Sequence, residues 1–261
     1  MRRQHVAIVV LAGLALTAGC SFFAPNPDSY TATYQYDIGI DTNETLENVT
    51  IRVPLPQVDS ASAVNASGIA PNGTVGDGVN GAIVETAYGP MLELTTDRFA
   101  VTTRYYRFVE SNGTGYREEI SRDEYDADDP DHQRVDHRSI SVSVSVAAEY
   151  PLETRAPVGT EPTLYDNDAV TRELRECRVP DERAEACFGY DAPVSLAYNT
   201  TENASVRGFA AVDGSNEWFA GGWTGNSYTD RVRFDAAGPQ QGWRNATGYT
   251  VTGRGNYPSP S

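Results

Sequence analysis

The chain has 261 residues and a formal net charge of −16, and it contains no lysine: all twenty basic residues are arginine, set against 36 Asp and Glu. That length accommodates one large domain or two small ones. Nucleic acid is not an expected partner, because neutralising phosphates takes a basic patch and none is present.

The first element is a leader. Met1-Arg2-Arg3-Gln4-His5 is cationic, residues 6–16 are apolar, and Thr17-Ala18-Gly19-Cys20 is a small-residue cleavage site ending on cysteine. Eleven apolar residues at about 1.5 Å each are too short for a bilayer core of about 30 Å. Residues 1–19 therefore read as a signal peptide, and no later stretch is apolar enough to span. The Thr17-Ala18-Gly19-Cys20 run resembles the lipobox of exported lipoproteins, which implies that Cys20 becomes the lipid-bearing first mature residue. Thr17 departs from the leucine that pattern prefers, with Leu16 one step early. The alternative is simple secretion with Cys20 inside a soluble mature chain. Arg2-Arg3 also resembles a twin-arginine export signal.

Loss of Arg2 and Arg3 with the leader takes the formal charge from −16 to −18. A lysine-free, acidic composition resembles that of the surface lipoproteins of halophilic archaea. The physical reading is a surface that repels itself at low salt and is screened near molar salt, where the Debye length is about 3 Å. An acidic protein binding cationic partners is the alternative. Cys177 and Cys187 are the cysteines left after Cys20, an even pair that implies a disulfide in an oxidising compartment. Eight of the fourteen asparagines open an Asn-x-Ser/Thr sequon: Asn43, Asn48, Asn65, Asn72, Asn112, Asn199, Asn203 and Asn245. With 41 Ser and Thr in the chain, chance gives about two, so a glycosylated surface is expected.

Residues 20–29 read as a tether, and period-2 alternation starts at Tyr30. Tyr30, Ala32, Tyr34, Tyr36, Ile38 and Ile40 share one face of a first strand. Val49, Ile51, Val53 and Leu55 share a face of a second, whose end at Pro54 reads as an edge because proline lacks an N–H. A long loop over 56–81 precedes a hairpin turning at Gly89-Pro90, and 99–109 is a further strand. After an acidic stretch, Ile140, Val142, Val144, Val146 and Ala148 alternate with four serines. Asn167 or Asp168 as N-cap, with Val170 and Leu174 one turn apart, predicts a helix over 166–178. Strands resume at 194–198, 205–212, 228–234 and 248–253. About ten strands and one short helix predict an antiparallel β-sandwich over 30–258, as one domain or as two lobes meeting near 151–162. The 46–55 segment also resembles strands of immunoglobulin-like surface modules, a likeness of some ten residues.

Two places could carry chemistry. Asp123, Glu124, Asp126, Asp128, Asp129, Asp131 and Asp136 surround His132 and His137. They fail the EF-hand pattern, with Asp131 where glycine belongs and His137 where glutamate belongs, so the stretch reads as a solvated loop and no metal is assigned. The second place is aromatic. Trp218, Trp223 and Trp243, with Phe219, Tyr228, Tyr249 and Tyr257, form either core or a platform that stacks on sugars. There is no nucleophile elbow, no His-Glu-x-x-His and no lysine for a phosphate loop. No catalytic residue and no cofactor are assigned. The leading expectation is a lipid-anchored, glycosylated, non-enzymatic surface β-domain whose partners are the membrane and envelope glycans or proteins. A carbohydrate-binding module using the three tryptophans comes second, and a carboxylate-based hydrolase third. A groove lined by exposed tryptophan favours the second, and a deep cleft holding two carboxylates about 5–10 Å apart the third.

Overall fold

The computed structural model describes residues 31–58, 61–63, 74–76, 78–149, 151–166, 168–177, 184–219 and 221–257. Among these the protein is all-β and antiparallel. The strands are β1 (Thr31–Thr42), β2 (Leu46–Pro54), β3 (Gln57–Val58), β4 (Ala61–Ser62), β5 (Thr74–Gly76), β6 (Val79–Thr86), β7 (Gly89–Phe99) and β8 (Thr102–Ser111). They continue as β9 (Thr114–Ile120), β10 (His132–Ala147), β11 (Glu173–Arg175), β12 (Ala186–Asn199), β13 (Ser205–Phe219), β14 (Trp223–Ala237) and β15 (Gln240–Gly255). All but β3 and β4 belong to one 13-stranded sheet in the order β5-β6-β7-β2-β12-β15-β14-β13-β1-β10-β8-β9, with β11 on β12.

Chain connectivity dictates how that sheet bends. Residues 43–45 join β1 to β2, and four Cα steps reach at most about 14 Å. The same strands stand five places apart in the sheet, about 24 Å if it were flat. Residues 100–101 likewise join β7 to β8 across eight places. The sheet must therefore roll up, and contacts across the roll show that it does. The Tyr36 hydroxyl on β1 donates to the Pro54 carbonyl on β2 at 2.8 Å. One core fills the interior, built from Tyr36, Ile38 and Ile40 of β1, Val49, Ile51 and Val53 of β2, Val194 and Leu196 of β12, and Val206, Val212 and Val232 of β13 and β14. The roll is not closed into a barrel.

Pro54 does not mark an edge, since β2 lies between β7 and β12. Its missing N–H costs nothing because pairing with β12 has already stopped at Arg52, while Pro54 itself faces Met91 on β7. The helix expected over 166–178 does not form among the described residues. A turn at 168–170 is followed by β11. Val170 is buried while Leu174 is 72 % exposed, so the one-turn spacing of two apolar residues was no amphipathic stripe. The Cys177–Cys187 disulfide (S–S 2.08 Å) and the pairing of Arg175 with Cys187 hold this stretch extended against β12.

The connector 151–166 plugs the interior. Leu164 and Tyr165 are fully buried, and the Tyr228 hydroxyl donates to the Pro162 carbonyl at 2.8 Å. Asn216 and Asn226 grip its start: Asn216 exchanges hydrogen bonds with the Leu152 backbone at 2.7 and 2.9 Å, and the Thr154 hydroxyl donates to Asn226 Oδ1 at 2.9 Å.

Ahead of Arg138, where pairing with β1 ends, the first part of β10 leaves the body and pairs with β8, which in turn pairs with β9, as a projecting arm. Its hairpin turns at Asn112-Gly113, both at positive φ (53° and 76°), as a tight two-residue hairpin turn requires. His132 and His137 thus lie on a strand rather than in a loop. Residues 121–131 fold over one arm face, with Tyr125 against Tyr105 (centroids 4.7 Å) and the Asp126 N–H donating to His132 Nδ1 at 3.0 Å. The acidic side chains serve this local fold: Asp126 and Asp129 accept backbone N–H groups two residues on, and Asp136 accepts from Arg134 and Thr103.

Candidate functional site

The body has two unlike ends. At the entry end β1 begins, and Thr31 pairs with Glu217, two residues short of the β13–β14 turn. At the far end lie the β1–β2 and β12–β13 links, joined by Asn43 N–H to the Ser205 carbonyl (3.4 Å) and the Thr200 hydroxyl to the Thr45 carbonyl (2.9 Å). The arm leaves from the far end, since Arg138 pairs with Thr42.

A groove of about 680 Å³ lies at the entry end on the outer face of β13 and β14, bordered by the end of β15. Strand parity builds it. Val212, Gly214, Asn216 and Trp218 turn inward, so Asp213, Ser215, Glu217 and Phe219 turn outward. The register sets Asp213 beside Thr229, Ser215 beside Ser227, Glu217 beside Gly225 and Phe219 beside Trp223. Small polar side chains make the floor. Gly225 lets β13 and β14 approach closely beneath it, because a Cβ there would lie 2.3 Å from the Asn216 carbonyl oxygen. Arg254 supplies a guanidinium on one side and Trp223, 76 % exposed, a wall. Phe219, also exposed, meets Trp223 edge to face, with centroids 6.0 Å apart and planes at 80°. The hydroxyls, carboxylates and guanidinium suit hydrogen bonding to a polyhydroxylated ligand. Asp213, which accepts a hydrogen bond from Thr229, and Glu217 are four strand residues apart, about 13 Å between Cα atoms.

The three tryptophans do not form one platform. Trp218 is 2 % exposed and faces inward, while Trp223 stands at the rim. Trp243 packs against Tyr88 (4.9 Å, 67°), twelve residues along β15 from Gly255 at the groove, about 40 Å of extended strand. Residues 217–219 and 223–226 are the ends of two long strands.

Asn43, Asn48, Asn112, Asn199, Asn203 and Asn245 are all exposed. Asn43, Asn48, Asn199 and Asn203 ring the far end, where Glu47 pairs with Asn199 and the Asn43 side chain accepts the Ser205 N–H at 2.7 Å. Asn112 tips the arm. Cys20, Asn65 and Asn72 lie outside the described residues. Among the described residues no three of His, Cys, Asp and Glu converge on a common metal position.

A second polar constellation, inside the roll, had no counterpart in the sequence reading. Asp230 on β14 is fully buried and accepts four hydrogen bonds: Leu164 N–H (2.9 Å) and Arg172 Nη2 (3.2 Å) on Oδ2, and the Tyr190 and Thr250 hydroxyls (2.8 Å each) on Oδ1. Arg172, 6 % exposed, also donates to the Tyr165 carbonyl at 2.9 Å and lies 4.7 Å over the Tyr190 ring. Burial and then the Asp230 charge push the Tyr190 hydroxyl well above its ordinary range. Sealed from solvent, this network fastens the connector to the sheet. Parity was its one sequence signal: Asp230 shares the inward register of Tyr228, Val232 and Phe234.

No protein-family model, no curated protein and no solved structure matches the chain. The functional reading rests on the site itself.

Proposed function

We propose that this is an exported, lipid-anchored, N-glycosylated domain of the cell surface, adapted to high salt, that binds or supports envelope components rather than transforming a substrate. The observation that carries this reading is the segregation of the two ends. Five of the six described sequon asparagines lie at the far end or on the arm, while the described chain starts at the opposite, entry end. A chain held to a membrane through Cys20 would thus carry its glycans outward, away from the lipid. The rolled sheet, with β1 opposed to β2 across one core, is read as a sandwich-like surface module. The Cys177–Cys187 disulfide accords with an oxidising, extracytoplasmic setting. Mass spectrometry of the native mature protein tests the proposal. The expected result is a chain starting at Cys20 with added lipid and with glycan on Asn43, Asn48, Asn112, Asn199 and Asn203. A chain still joined to residues 1–19, with unmodified asparagines, overturns it.

The groove favours a second reading, carbohydrate binding. Its hydroxyl-rich floor and indole wall are the chemistry that recognises sugars. Titration with soluble oligosaccharides in molar salt checks it: Ser227→Leu, which blocks the floor, abolishes the calorimetric signal if the reading is right and leaves it unchanged if it is wrong.

A further inference from the structure

We propose that the β13–β14 hairpin tip, through Phe219 and Trp223, dips into the surface of the membrane that carries the anchor; this rests on the lipid-anchored reading above. Three observations converge on it. The first is position. Thr31, where the described chain starts, pairs with Glu217, so the chain enters beside the hairpin tip. Eleven residue steps separate Cys20 from Thr31, a span of at most about 40 Å. Such a link holds the tip near the lipid at high effective concentration, so weak insertion is enough to orient the domain.

The second is composition. Residues 218–229 contain no Asp, Glu or Arg, in a chain of net charge −16. Insertion into a lipid surface costs least where no charged side chain must follow, and Glu217 on one side and Asp230 on the other bound that stretch. The third is shape. Phe219 and Trp223 stand 57 % and 76 % exposed at 80° to each other, a wedge rather than the flat platform a sugar ring stacks on. Tryptophan settles at membrane interfaces because its ring is apolar while its N–H keeps a polar partner. The lipid surface and a glycan in the groove compete for Trp223, and one experiment separates them.

The full chain, purified as made by its host, is mixed in molar salt with phosphatidylcholine vesicles whose acyl chains are brominated. Bromine quenches only tryptophan that reaches the lipid, and Trp223 is one of three. The expected result is loss of up to about a third of the emission, abolished by Trp223→Ala and reduced several-fold by Phe219→Ser, with flotation of the vesicle-bound chain unchanged. Emission equal to that with unbrominated vesicles overturns the inference, as does quenching that survives Trp223→Ala. An emission shift with soluble cellohexaose but not with vesicles also overturns it, in favour of the groove. If mass spectrometry finds no lipid on Cys20, the anchor reading fails by itself. The tip is then read by the same quenching as vesicle concentration rises, and no quenching at any concentration overturns it alone.

Discussion

The rolled body and the projecting arm are built from the same kind of alternating strand, yet their alternation does different things. In the body, β12 to β15 bury nearly every second residue, and the inward set is mostly apolar, with Asp230 and its partners, Asn216 and Asn226 among its polar members. In the arm, β8 buries no residue and β9 buries Ile120 alone. The arm keeps its form through cross-strand ion pairs, Arg107–Glu118 at 2.6 Å and Arg104–Glu119 at 3.8 Å, and through the 121–131 cover with Tyr125 on Tyr105. The contrast teaches that alternation makes a strand, while only a second layer makes a core. Stability therefore resides in the body. The arm is a local unit that opens first and responds to salt, because exposed pairs are screened and buried apolar area is not.

The sharpest way to break this contrast is to remove the charge at the centre of the body. Asp230→Ala strands the buried Arg172 guanidinium and is expected to cost about 3–5 kcal/mol, read as a lower midpoint in chemical denaturation. An unchanged midpoint would show that the network is incidental to the roll. Next in size is the double replacement of Cys177 and Cys187 by serine. It frees the stretch before β12 and is expected to cost about 2–3 kcal/mol in the chain-entropy model for a ten-residue separation.

Alkaline pH should probe the body without mutation. Burial raises the Tyr36, Tyr165, Tyr190 and Tyr228 hydroxyls well above the usual tyrosine range, and Tyr198 to about 12. A raised folded-state pKa gives stability that is complete below the unfolded value near 10 and is lost as pH climbs through the folded value. The body is thus expected to hold to about pH 10 and to unfold cooperatively above it. Tyrosinate absorbance from these five buried or partly buried side chains should rise only with that unfolding. A body that stays folded far above pH 10 would defeat this expectation.

The smallest effect expected is Tyr125→Ala, at about 1 kcal/mol or less in global stability. Its signature is local: faster amide exchange across β8 and β9 with β12 to β15 unchanged. Exchange that accelerated equally in both would mean that the arm is not a separate cooperative unit.

Much of the fold can be read along the chain. Ile38 and Ile40, Val49 to Val53 and Val142 to Val146 announce their strands through period-2 burial, and the surviving cysteine pair announces its bridge. The start of β10 escaped because residues 132–137 expose polar groups on both faces, which leaves no apolar period to count. Residues 166–178 imitated a helix because Val170 and Leu174 happen to be four apart, while their burial is opposite. Of the candidate site, Trp223 was visible by type. Its groove partners Asp213, Ser215, Ser227 and Thr229 were not, because only the β13–β14 register brings them side by side.

By itself the sequence determined that this is a strand-forming, acidic chain with a cysteine pair and an excess of sequons, since each is a property of local composition or of spacing within a few residues. The tertiary structure alone decided that one sheet rolls on itself, that Asp230 meets Arg172, and that Trp223 and Trp243 part company along β15. Those outcomes depend on which distant strands pair and on short links such as 43–45 that force the sheet to curl, and neither is encoded in any local run of residues. The two-ended character of the molecule, with an uncharged hairpin tip beside Thr31 and sequons and acidic arm opposite, comes from the same pairing.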